Sequence, residues 1–70
     1  MKVIDLHGVR HKDASDIIAR CCNEYDDPFI VVTGKSSRMK RIVAEVAKTF
    51  GLSVRDTIYN PGRVVIDESG

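Results

Sequence analysis

Phe29-Ile30-Val31-Val32-Thr33-Gly34-Lys35-Ser36-Ser37 decides how this chain folds. Its first five residues form an unbroken β-prone run with no polar face, the pattern of an interior strand covered on both sides or nearly so. Gly34 to Ser37 then reads as a turn that carries a ready helix N-cap. Beyond it Met39, Ile42, Val43, Val46, Ala47 and Phe50 recur at helical spacing, and Gly51 closes that helix as its C′ residue. A strand that runs through a glycine turn into an amphipathic helix is one half of a crossover unit, so a second parallel strand is expected nearby.

Upstream the chain supplies that strand. Met1-Lys2-Val3-Ile4-Asp5-Leu6-His7-Gly8 is a short apolar run stopped by glycine. As a strand it puts Val3, Asp5 and His7 on one side and Ile4 and Leu6 on the other. A helix follows, capped by Asp13 or Ser15, with Ala14, Ile17, Ile18, Cys21 and Cys22 as its buried stripe. Tyr25-Asp26-Asp27-Pro28 ends it, because the residue before a proline resists helical dihedrals. Downstream, Ser53 to Tyr59 reads as an edge strand on account of Arg55 and Asp56. Asn60-Pro61-Gly62 is a turn and Val64-Val65-Ile66 a further apolar strand.

The order βαβαββ predicts an α/β fold of two layers, a mixed four-stranded sheet with both helices on one face. The closing hairpin makes the last strand antiparallel to the other three. Residues 1–67 make a single domain, and residues 68–70 read as a frayed tail. With 70 residues, 43% hydrophobic and 30% charged, the composition is that of an ordinary globular protein. No apolar run approaches the roughly 20 residues of a membrane span, and the first residues do not read as a signal peptide. No membrane role, a cytoplasmic location and a monomer are the expectations. Cys21 and Cys22 diverge by about 100° on a helix and have no second pair, so they read as reduced structural thiols.

A formal net charge of +1 hides an uneven distribution. The topology brings Gly8–Lys12, Thr33–Arg38 and Asn60–Arg63 to one end of the sheet, the end where open α/β sheets bind ligands. There Arg10, His11, Lys12, Lys35, Arg38 and Arg63 gather, with Lys40 and Arg41 a turn further on, opposed by Asp5 and Asp13.

Asp5 is the odd residue of the opening strand, since aspartate is among the poorest strand formers, and a purpose other than folding is expected of it. Asp5 and His7 have the chemistry of a general base and acid, of two ligands to one divalent ion, or of a carboxylate that orients an imidazole. An exposed pair on a solvent face is the plain alternative. Thr33-Gly34-Lys35-Ser36 is not a P-loop, because Phe29 stands where the further glycine is needed. A glycine turn that opens a helix still offers amides and a positive dipole end to an anion, or serves simply as a strand-to-helix turn. Lys35-Ser36-Ser37-Arg38-Met39-Lys40-Arg41 can track a phosphate backbone or form a solvated helix face. Tyr59 borders the last turn and can stack on a base, whereas Tyr25 reads as helix-end packing.

Ile4-Asp5-Leu6-His7-Gly8, then a helix, then an apolar strand running into Thr33-Gly34-Lys35, resembles the small MutS-related (Smr) domain. That family opens with Leu-Asp-Leu-His-Gly and carries His-Gly-Lys-Gly or Thr-Gly-x-Gly after its second strand. The likeness extends from Lys2 to about Asp67. It implies a fold like the C-terminal domain of translation initiation factor three, with the final strand between the second and third. It also implies binding of DNA or RNA and, as in several members, nicking or structure-directed endonuclease activity. On this resemblance Asp5 and His7 match the positions linked to cleavage. Thr33, Gly34 and Lys35 match the second motif, beside Gly8, Arg10, Ser36, Arg38 and Arg63 as nucleic-acid contacts. No metal ligand set is indicated, and a divalent ion such as magnesium stays open as a cofactor. The chain departs from the pattern where Thr33 replaces a common His, where Ser36 replaces the second glycine, and where the last turn holds only Gly62. The alternatives are a nucleic-acid binder without catalysis and a protein-interaction module.

Overall fold

The computed structural model describes residues 1–57 and 59–68. The elements are β1 (Lys2–Asp5), α1 (His11–Glu24), β2 (Phe29–Val32), α2 (Ser37–Thr49), β3 (Leu52–Asp56) and β4 (Arg63–Glu68). They form the expected α/β fold, a mixed four-stranded sheet in the order β1-β2-β4-β3. β1 and β2 are parallel, and β4 is antiparallel to β2 and β3 on either side of it. The helices pack along one another on one face of the sheet. Against that face Phe29, Val31, Val64 and Ile66 meet Ala14, Ile18, Met39, Val43 and Ala47 in the core.

Period-two alternation places the remaining strand residues on the other face, and here the sequence expectation fails. β2 is central, but Ile30 and Val32 are only half-buried, because among the described residues no element covers their side of the sheet. An apolar run shows that both faces avoid polarity and cannot show that both are covered.

Boundaries also move. α1 begins at His11, with Arg10 as an N-cap residue that makes no side-chain cap hydrogen bond, so neither Asp13 nor Ser15 is the cap. Ser15 instead donates to the Lys12 carbonyl at 3.2 Å. The start is set upstream, where the Val9 amide donates to the Leu6 carbonyl at 3.0 Å and turns the chain directly into the helix. β3 stops at Asp56 rather than Tyr59; Thr57 and Tyr59 lie outside the ladder, and Ile58 lies outside the described residues. Glu68 is not part of a tail, since it closes β4 opposite Leu52, while Ser69 and Gly70 lie outside the described residues.

Other expectations hold. Ser36 caps α2, its hydroxyl accepting the Met39 amide at 3.1 Å. Gly51 follows the C-cap residue Phe50 and its amide donates to the Lys48 carbonyl. Tyr25 packs at the end of α1, edge-on to Phe29 at 5.4 Å, with the Lys2 ammonium over its ring. Cys21 and Cys22 are free thiols buried in the core, and burial pushes both up from the ordinary cysteine range, which keeps them protonated and unreactive. No helix among the described residues is long and apolar enough to cross a membrane.

Candidate functional site

The three loops meet at one end of the sheet as the topology requires. Backbone bonds join the second and third, where the Gly62 carbonyl accepts the amides of Thr33 at 2.9 Å and Gly34 at 3.0 Å. The two glycines touch, for a Cβ built on Gly62 would lie 3.6 Å from the Gly34 Cα. Gly34 itself has φ +67°, which a side chain rarely tolerates, so glycine is needed here to turn β2 toward α2. The Asn60–Arg63 turn is held by the Arg63 amide on the Asn60 carbonyl and by the Gly62 amide on Asn60 Oδ1. Thr57 donates its hydroxyl to the Asn60 carbonyl as well.

Thr33 is inward-facing and 8% exposed. Its hydroxyl lies 2.8 Å from the Gly34 carbonyl and 3.4 Å from that of Gly62. Its hydroxyl proton is therefore committed to the loop junction. Ser36 in place of a second glycine has a direct reason in its capping bond.

At the end of β1 the strand is shorter than the alternation predicted. β1 stops at Asp5, and His7 and Gly8 form an exposed turn, Gly8 at φ +76°. Asp5 Oδ1 accepts the His7 backbone amide at 2.8 Å, an Asx-type turn. Asp5 thus meets His7 through its main chain rather than its imidazole, and folding alone accounts for an aspartate at this position. Asparagine keeps that acceptor and alanine removes it. Asp5→Asn should stay within about 0.5 kcal/mol of the wild type in urea denaturation, while Asp5→Ala should lose about 1 kcal/mol.

The cations divide into two groups. Arg10, His11 and Lys12 surround the first turn of α1, and Lys35 and Arg38 surround that of α2; all five are exposed. Both helices run back from the sheet's loop end and pack against one another, so both N-termini open at that end. Among the described residues the amides of His11 and Lys12, and those of Lys35, Ser37 and Arg38, have no acceptor. Asp13 is the only acidic residue in the first turn of α1, and α2 has none in its own. Arg63 is set apart from this group. It faces the side of the sheet away from the helices, across Val32 from Asp5 in one cross-strand row.

One charge escaped the sequence reading. Asp56 reaches back from β3 to Lys40 at 3.3 Å, which neutralises Lys40 and adds an acid to the end thought to hold only Asp5 and Asp13. Arg41 lies one turn beyond Arg38 and lines with it, Ser37, Ile42 and Glu45 an open groove of about 570 Å³ on α2. The basic run Lys35–Arg41 already placed it there, and its spacing of three from Arg38 makes the two neighbours on the helix surface. Tyr59 is 97% exposed beside the last turn. The opposite end of the molecule is acidic: Glu24, Asp26 and Asp27 line a second open groove with Lys2, Tyr25 and Pro28. The near-zero net charge is thus a basic end balanced against an acidic one. Comparison of the chain with protein-family models, with curated proteins and with solved structures returns no match.

Proposed function

We propose that the basic end of this domain binds the phosphate backbone of DNA or RNA. The observation that carries the reading is the pair of neighbouring helix N-termini, each with open amides and each ringed by cations. Cations at a helix N-terminus oppose the macrodipole, by about 0.3–1 kcal/mol each, so folding alone gives no reason to collect Arg10, Lys12, Lys35 and Arg38 there. An anion reverses the sign of every one of these terms. The likeness of Ile4–Gly8 and Thr33–Lys35 to the Smr motifs supports the same end.

Where the domain also cleaves, the assignment that suits these positions gives His7 the proton of the attacking water or ribose hydroxyl. Asp5 holds the turn that presents His7, and the neighbouring cations neutralise charge on the phosphate oxygens. Among the described residues no group of three or more His, Cys, Asp or Glu is placed to hold a metal ion, so no residue is assigned to one.

The test uses labelled structured RNA and branched DNA at low salt, with and without magnesium. Wild type and Asp5→Ala/His7→Ala should both bind, and the wild type alone should cut. Equal cutting by both leaves a binder with a contaminating nuclease. Failure of the wild type to bind any of these probes overturns the proposal.

A further inference from the structure

The face of the sheet away from the helices is the largest feature the proposed phosphate site does not use. One cross-strand row on it reads Val3, Ile30, Val65, Arg55, and the next reads Asp5, Val32, Arg63. Four aliphatic side chains therefore adjoin at its centre, with Val3 47% exposed and Ile30, Val32 and Val65 half-buried, and no covering layer among the described residues. Charges stand at the rim, where Arg55 Nη2 lies 3.4 Å from Asp67 Oδ2 and Asp5 and Arg63 occupy opposite sides of Val32. Among the described residues its strands present no aromatic ring on which a base could stack, and their acids and bases balance, so it does not suit nucleic acid. An apolar centre within a charged rim is the layout of a protein interface.

The register points to the occupant. A two-fold axis between two such sheets, parallel to the strands, lays β1 over β3 of the other copy and β2 over its β4. Ile30 then meets the partner's Val65, and Val65 meets the partner's Ile30, so the two central residues cover one another while Val3 lies under the partner's Arg55 and Val32 under the partner's Arg63. On the same operation Asp5 comes beside the partner's Arg63, and Arg63 beside the partner's Asp5, two opposite-charge pairs from one self-complementary row. We infer that this face is the interface of a symmetric homodimer, packed sheet on sheet, in place of the monomer expected from the sequence. Four strands of about five residues bury on the order of 1,000 Å² in total, the lower bound of a specific interface, which makes the dimer weak and concentration-dependent.

Sedimentation equilibrium from about 10 μM to about 1 mM tests this, a range suited to so small an interface. The weight-average mass should rise from the 7.8 kDa of one chain toward twice that value. Val65→Lys puts a charge at the centre and Arg63→Glu turns both ion pairs into repulsions; each should raise the dissociation constant about tenfold or more, with unchanged circular dichroism. Should Val65→Lys fail to fold, Arg63→Glu decides alone, since it alters an exposed residue at the start of β4. A wild type that stays monomeric throughout overturns the inference, as does a dimer that Arg63→Glu leaves unmoved. Protection of the Ile30 and Val65 side by RNA instead of by a second copy overturns it too.

Discussion

Phe29→Ala should lower the stability of the fold by about 3–5 kcal/mol. Phe29 is 1% exposed and heads the fully buried side chains in volume. It sits on β2 between Lys2 of β1 and Ile66 of β4, with Tyr25 closing over its edge. Truncating a buried phenylalanine costs about 3–5 kcal/mol, part of it lost transfer energy and part the cavity left behind. A domain of this length holds only roughly 4–10 kcal/mol in total, so the loss removes between about a third of it and all of it. The neighbouring Ile30→Ala, one residue away on the uncovered face, should cost about 1 kcal/mol, because its side chain leaves less water-free volume behind. Urea midpoints for the two variants measure the difference. Equal losses would mean that the second face is as well packed as the first.

That contrast also shows how far the sequence reaches. Periodicity in α2 identified Met39, Val43 and Ala47 because a helix that faces a core repeats its apolar residues on one side, and the three are buried. The glycine turn and the Ser36 cap were legible for a similar reason, since both depend on neighbours within four residues. What β2 faces on its second side depends on elements remote in sequence, and the run Phe29–Val32 carries no record of them. The Lys40–Asp56 pair was hidden in the same way, because only the docking of β3 beside α2 brings the two together. Asp5 was conspicuous for its residue type, yet its role is a local one in the turn, which propensity alone does not reveal. The gathering of cations was legible from the topology, whereas their division between two faces required the strand register.

Lys35→Ala/Arg38→Ala should weaken nucleic-acid binding by about tenfold to a hundredfold and flatten its salt dependence. Each phosphate contact contributes about 0.9 to the slope of log K against log salt on duplex DNA, so removal of two should reduce that slope by about 1.8. Lys48→Ala is the control, the loss of one cation from the same helix as Arg38. It lies in the last turn of α2, about 15 Å along the axis from Arg38, nearly two screening lengths at physiological salt. It should change neither affinity nor slope appreciably. Arg10→Ala/Lys12→Ala tests the other half of the interface, and because those residues surround a separate helix their effect should add to that of the first pair. The decisive quantity is the slope, because a variant that merely loosens the fold lowers affinity without removing a counterion. If Lys35→Ala/Arg38→Ala and Lys48→Ala give the same slope as the wild type, the backbone does not run across the N-terminus of α2, and the phosphate site belongs elsewhere on the molecule or nowhere.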